Sequence, residues 1–322
     1  MRQKICILIL LFVFHLNNST AQTCCSGGVP LTGNLGMPSA TRGSWQFSFS
    51  YDYNRMTTLM EGNREIVNDS RKRFTHSFLL ETAWSITDNV SLSGLFTWVS
   101  QTRNVVFLGN QNTDQLHGIG DAIILLTWKL IGDRSSRWEL LAGIGPKIPL
   151  GKSDMRSSSG YRYNADLQPG SGAWDGVGWG LLSRSGLYRP TSNLSLRFIY
   201  RYTGTNNNYL GHSSYQFGNE LQLIAGISDQ LVLGSQILDP SILLRFRMAG
   251  EDRTGGDILP NTGGKWLYLI PGLIYHPRPR FHVRLAGEIP IYNYLEGIQL
   301  TSDFRITTGI YFRIDGRKEN II

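Results

Sequence analysis

Eleven charged residues stand where chemistry or conduction could use them: Glu81, Asp121, Lys129, Glu139, Lys147, Arg197, Arg201, Glu220, Arg284, Glu288 and Arg305. Each sits on the polar parity of a segment whose alternate positions are apolar. In LSLRFIYRY, Leu194, Leu196, Phe198, Tyr200 and Tyr202 alternate with Ser195, Arg197, Ile199 and Arg201. Period-two alternation describes a β-strand with two unlike faces. Charges gathered on the inner face of a closed sheet can pair and shut the interior. They can equally line a path whose field orients a polar solute. The first arrangement is a salt-bridged lumen that mainly holds the structure together.

Other chemistries fit less well. GPKIPLGKS, Gly145 to Ser153, approaches a phosphate-binding P-loop, but five residues separate Gly145 from Gly151 where the motif needs four. Its two prolines also fall where a helix should start. The glycines of Gly176-Val177-Gly178-Trp179-Gly180 suit close strand packing or barrel curvature better than a nucleotide turn. The six histidines show no metal-ligand spacing, so no metal or other cofactor is expected. A lipase-type enzyme would need a serine beside a histidine base. His76 and Ser77 are strand neighbours that point to opposite faces, and His212-Ser213 lies in a long loop. No catalytic residue is assigned.

The elements that must position the charged residues are strands. The chain has 322 residues, with 36 Gly, 14 Tyr, 14 Phe and 8 Trp, as suits a turn-rich, aromatic-rich β protein. A mean hydropathy of −0.16 is too polar for a bundle of membrane helices. The long apolar run is N-terminal, where Arg2 and Lys4 precede ICILILLFVFHL and Ser19-Thr20-Ala21 offers small residues for cleavage. That is the layout of a secretory signal peptide over 1–21. Its removal lowers the +7 formal charge by two, and export argues against nucleic acid as a partner. Cys6 leaves with the leader. Cys24 and Cys25 remain as an adjacent pair facing an oxidising compartment.

About twelve alternating segments follow, joined by short turns and long loops in turn. The expected turns lie at Thr87-Asp88-Asn89, 132–136, 189–193, 228–230 and 277–280. The expected loops cover 54–71, 101–117, 152–170, 204–213, 250–264 and 293–302. Tyr215, Phe217, Leu221, Leu223 and Ile227 are read as one strand's apolar face, and Pro240 as a bulge within Leu231 to Met248. Each strand is near the ~9–11 residues of a tilted membrane strand. An even count, short turns at one rim, long loops at the other and both termini on the short-turn side describe one transmembrane antiparallel up-and-down β-barrel. It is all-β, with periplasmic turns and extracellular loops. Lipid then takes the apolar face, because a closed barrel satisfies its backbone without water. Trp45, Tyr53, Trp84, Trp98, Trp128 and Trp138 fall near strand ends, where interfacial aromatic girdles sit. A soluble barrel would show the same alternation with the faces inverted.

Several stretches resemble the barrel family labelled "MetA-pathway of phenol degradation": GIGDAIILLTWKL (118–130), GIGPKIPLG (143–151), LQPGSGAWDGVGWGLLSRS (167–185), TGGKWLYLIPGLIY (262–275) and PIYNYLEGIQLTSDFRITTGIYF (290–312). CCSGGVPLTGNLG (24–36) is similar to the leader of a subgroup of such barrels. The resemblance implies an outer-membrane transporter barrel. Such barrels usually end on an aromatic, whereas here RIDGRKENII follows Tyr311-Phe312.

The expected organisation is therefore a signal peptide (1–21), an N-terminal periplasmic or plug segment (22–42), the barrel (43–314) and a C-terminal tail (315–322). The expected function is a channel in the outer membrane of a Gram-negative-type envelope, for a small solute that could be aromatic or hydrophobic. The alternative is a structural or adhesive barrel or, less favoured, an outer-membrane lipase-type enzyme. Partners are outer-membrane lipid, the solute and the barrel-insertion machinery. The segment 22–42 is expected to enter the barrel mouth, with Val29, Leu31, Leu35 and Met37 packing on Leu95, Leu125 and Leu141.

Overall fold

The computed structural model describes residues 36–37, 40–67, 70–107, 109–132, 136–157, 159–209, 211 and 213–316. Twelve strands form the wall: β1 (Trp45–Met56), β2 (Arg71–Ser85), β3 (Val90–Phe107), β4 (Ala122–Ile131), β5 (Trp138–Ile148), β6 (Asp175–Ser185), β7 (Asn193–Tyr202), β8 (Glu220–Ser228), β9 (Gln236–Ala249), β10 (Gly264–Arg278), β11 (Phe281–Thr301) and β12 (Phe304–Ile314). Every strand pairs antiparallel with its sequence neighbours, and β1 closes on β12 with Trp45 opposite Ile314. Closure leaves the wall no edge, which meets the demand that hydrocarbon places on backbone hydrogen bonds.

The alternation sorts side chains as the sequence requires. Outward residues such as Phe49, Leu80, Phe96, Phe198, Leu244 and Ile310 are 42–47% exposed, a level that no aqueous surface sustains over a whole barrel. Inward residues on the same strands are buried. Trp45, Trp84, Trp128 and Trp138 gather at the short-turn rim, with Trp45 stacked on Trp84 at 5.9 Å. Tyr53, His76 and Trp98 occupy the outward face nearer the other rim, where Tyr51 Oη lies 2.8 Å from His76 Nδ1. Ser77, one residue on, is fully buried inside, so the pair cannot meet. His212 lies outside the described residues.

Several expected connections and strand assignments differ in the structure. The stretch 101–117 is a β-hairpin that extends β3 and returns as Asn110–Ile119, in unbroken register. Likewise β11 runs through 293–301, bulges between Leu295 and Ile298, and pairs with Thr58–Gly62 of the 54–71 stretch. Thr205–Tyr209 and Ser213–Gln216 pair as loop strands, so Tyr215 and Phe217 do not face lipid but pack with Ala165 in a loop cluster. Leu231–Leu233 and β9 are two strands of one hairpin. Pro240 keeps its place opposite Leu273 without a bulge. Polar composition disguised the paired segments, because strands standing clear of the membrane need no apolar face.

No described helix is long and apolar enough to cross a membrane. Gly145 lies within β5 with no helix after it, which removes the P-loop arrangement. The signal-peptide residues and Cys24 and Cys25 lie outside the described residues.

Candidate functional site

The site is the lumen, and its dominant feature is a ladder of alternating charge. Asp121 precedes β4, and Lys147, Asp175, Arg201, Glu220 and Arg247 come from β5 to β9 in turn. Each is within reach of the next. Lys147 Nζ lies 2.7 Å from Asp121 and 3.0 Å from Asp175. Arg201 lies 4.0 Å from Asp175 and 3.2 Å from Glu220, which holds Arg247 at 2.9 Å. Adjacent strands present inward side chains a few ångströms apart, so opposite signs on neighbouring strands pair directly. Lys147 and Asp121 are fully buried. Desolvation on that scale is tolerable only because Ser171 Oγ and the Ala173 carbonyl complete the ammonium's shell.

Three further pairs extend the belt: Arg305 with Asp52 at 3.5 Å, Arg245 with Glu288, and Arg73 with Asp166 at 2.8 Å. Asp166 belongs to a 3-10 turn, Ala165–Leu167, within the loop between β5 and β6. That loop folds inward: Leu167 and Gln168 are buried, and Asp121 accepts hydrogen bonds from Ser171 N and Gly151 N. Gly151 and Gly170 approach so closely that a Cβ on either would overlap the other's backbone.

Below the belt lies a wall of another kind. Leu79, Leu95, Ile123, Leu125, Leu141, Val177, Trp179 and Ile199 form one buried inward cluster from β2 to β7. The N-terminal segment touches it. Gly36, at φ +90°, lies flat on the Trp179 indole where any Cβ would clash, and its N–H donates to Glu81 Oε1 at 2.9 Å. Met37 lines a cavity with Lys129 and Leu141. Val29, Leu31 and Leu35 lie outside the described residues.

The structure thus joins Asp121, Lys147, Arg201 and Glu220 in one ladder and puts Glu288 and Arg305 in pairs beside it. Glu81 sits lower, against Gly36. Lys129 and Glu139 are half-buried near the short turns, and Arg197 and Arg284 are half-buried between the levels. Sequence reasoning missed Asp52, Arg73, Asp166, Asp175, Arg245 and Arg247. Four had a usable signal. Asp52 and Arg73 share the polar parity of β1 and β2, and Arg245 and Arg247 alternate with Leu244, Phe246 and Met248. Asp166 had none, because loop residues carry no periodicity.

Above the belt, the loop cluster holds Asp252, which accepts hydrogen bonds from Tyr215 Oη at 2.5 Å and from Gly218 N at 2.8 Å. Burial nevertheless pushes its carboxyl up to about 6 and raises the Tyr215 phenol. At the opposite rim Asp229 is held below the usual range, first by the Thr191 hydroxyl at 2.6 Å.

A chamber remains at the level of the belt, partly open to solvent, with a cavity volume of about 70 Å³. Arg73, Arg245, Arg247, Arg305, Trp266 and Tyr268 are among its walls. Arg245 and Arg247 cover the rings of Tyr268 and Trp266 at 4.6 and 4.5 Å.

No family model matches the sequence, and no curated protein matches it. Among solved structures, an outer membrane channel from Pseudomonas putida F1 is 12% identical with a TM-score of 0.66, over 89% of this chain and 100% of that one. The β domain of the Bordetella autotransporter BrkA is 12% identical with a TM-score of 0.45, over 85% and 100%. The CymD monoaromatic hydrocarbon channel is 9% identical with a TM-score of 0.39, over 87% and 90%. The likeness to the Pseudomonas channel is one of fold, and the fold is that of a twelve-stranded outer-membrane β-barrel.

Proposed function

We propose that the chain is an outer-membrane channel for a small solute with an aromatic or hydrophobic body. It would be exported by the leader over 1–21 and placed in the membrane by the barrel-insertion machinery. The observation that carries this reading is the two-sided barrel whose lumen keeps an open chamber at the level of the ion-pair belt, above an apolar wall. A barrel built only for rigidity has no need of that chamber, and the wall offers an apolar body contacts that water does not compete for. In this reading the eleven inward charges line and narrow the path. The N-terminal segment narrows it further by covering Trp179. The pairing throughout the belt favours one rival, a structural barrel shut by its own salt bridges.

Topology is the first requirement of the channel. Single cysteines at Asn112 and Ser159, on the long-loop side, should react with an impermeant maleimide on intact cells. Cysteines at Asp88 and Arg189, on the short-turn side, should react after the outer membrane is opened. Equal labelling of both sets on intact cells would remove the orientation on which the proposal depends.

A further inference from the structure

The belt chamber holds a set of polar atoms that the protein leaves unused. Trp266 is fully buried, yet its indole N–H has no hydrogen-bond partner among the described residues. The hydroxyls of Ser77, Thr75 and Thr301 are in the same condition, with Ser77 at 0% and Thr301 at 1% exposure. All four residues line this one chamber. They come from β10, β2 and the end of β11, so no single strand's geometry forces the grouping. Buried donors and hydroxyls are ordinarily satisfied, and a cluster left open around one space marks where another molecule's polar groups belong.

The charges around the space say what kind of molecule. Arg73, Arg247 and Arg305 are held by Asp166, Glu220 and Asp52 at 2.8, 2.9 and 3.5 Å, and Arg245 is held by Glu288. An ionised head entering the chamber would lose its water and meet charges that already have partners. A neutral head loses less, and finds an N–H and three hydroxyls waiting. The rings of Trp266 and Tyr268 are covered by guanidiniums, so the chamber presents the polar edge of Trp266 rather than a stacking face.

We infer that the chamber is a docking site for the neutral hydroxyl head of a small solute, read by Trp266, Ser77, Thr75 and Thr301. The inference rests on the channel reading and names the head group that the channel would select. Three probes with the same body separate the possibilities: benzyl alcohol, benzoate and benzylammonium. Each is titrated onto the full mature protein in detergent by calorimetry and, separately, against single-channel current in planar bilayers.

Benzyl alcohol should bind and reduce the current at concentrations about tenfold below those of either ion, as one decade per ~1.4 kcal/mol of discrimination implies. Trp266→Phe keeps an aromatic side chain, smaller than the indole, and removes the N–H, while Ser77→Ala and Thr301→Val remove hydroxyls at nearly constant shape. Each should weaken the effect of benzyl alcohol about threefold to tenfold, the span of one net hydrogen bond. Heat-modifiable migration on gels, which reports the folded barrel, should not change. Equal effects of the three heads, or variants that respond like the parent, would overturn the inference and leave the channel standing. A folded protein that conducts nothing but prefers benzyl alcohol in calorimetry would sink the channel and keep the site.

Discussion

The belt and the wall beneath it both narrow the lumen, and they do so by opposite physics. In the belt, Lys147, Asp121 and Asp175 are held by direct charge pairing with almost no water. In the wall, Leu95, Leu125, Leu141 and Trp179 exclude water by apolar packing alone. Charge pairing is directional and all-or-none, because losing one member strands the others. Apolar packing is diffuse and tolerates exchange of similar shapes. The belt should therefore be brittle and the wall forgiving.

The largest test removes the central cation. Lys147→Met strands two buried carboxylates and should cost about 3–5 kcal/mol, read from urea unfolding of the protein refolded into lipid vesicles. Leu125→Met in the wall should cost less than about 1.5 kcal/mol in the same assay. Equal costs would mean that the two regions do not differ in kind. Next in size is the outer face. Phe198→Arg should cost about 2–4 kcal/mol near the membrane midplane, whereas its inward neighbour Arg197→Leu should mainly change conductance. A tolerated Phe198→Arg beside a damaging Arg197→Leu would reverse inside and outside.

The contrast between the regions also explains what was legible in the sequence. Strands that touch lipid on one side must alternate, so β7, with Leu194, Leu196, Phe198, Tyr200 and Tyr202 outward, could be read residue by residue. Charges within those strands, such as Arg197 and Arg201 of β7, could be placed on the polar face for the same reason. Which charge meets which could not, because pairing depends on register between strands. Arg201 reaches Glu220 only because those residues stand directly opposite one another. Strand segments beyond the membrane lost the signal altogether, as Asn110–Ile119 and Ser213–Gln216 show. The inward-folded loop carrying Asp166 was invisible, since a loop's destination is set by its contacts rather than by any period in its residues.

The smallest effect concerns the loops above the belt. Because burial holds the Asp252 carboxyl up at about 6, the folded loops bind its proton more tightly than the unfolded chain does. The contribution of this group to stability is greatest below its ordinary value near 4 and is lost as pH rises toward 6. Protease nicking of the 250–263 loop should rise over that interval and then level off, and Asp252→Asn should flatten the change. A loop that became easier to cut as pH fell would carry the opposite sign.

In the channel proposed above, the segment that lays Gly36 on Trp179 narrows the lumen from the short-turn side. Planar-bilayer recording of the mature protein, with and without residues 22–37, tests it most directly. The full chain should give small discrete conductance steps, and larger or steadier steps should follow once the segment is gone. A correctly folded barrel that gives no steps in either form would contradict the proposal.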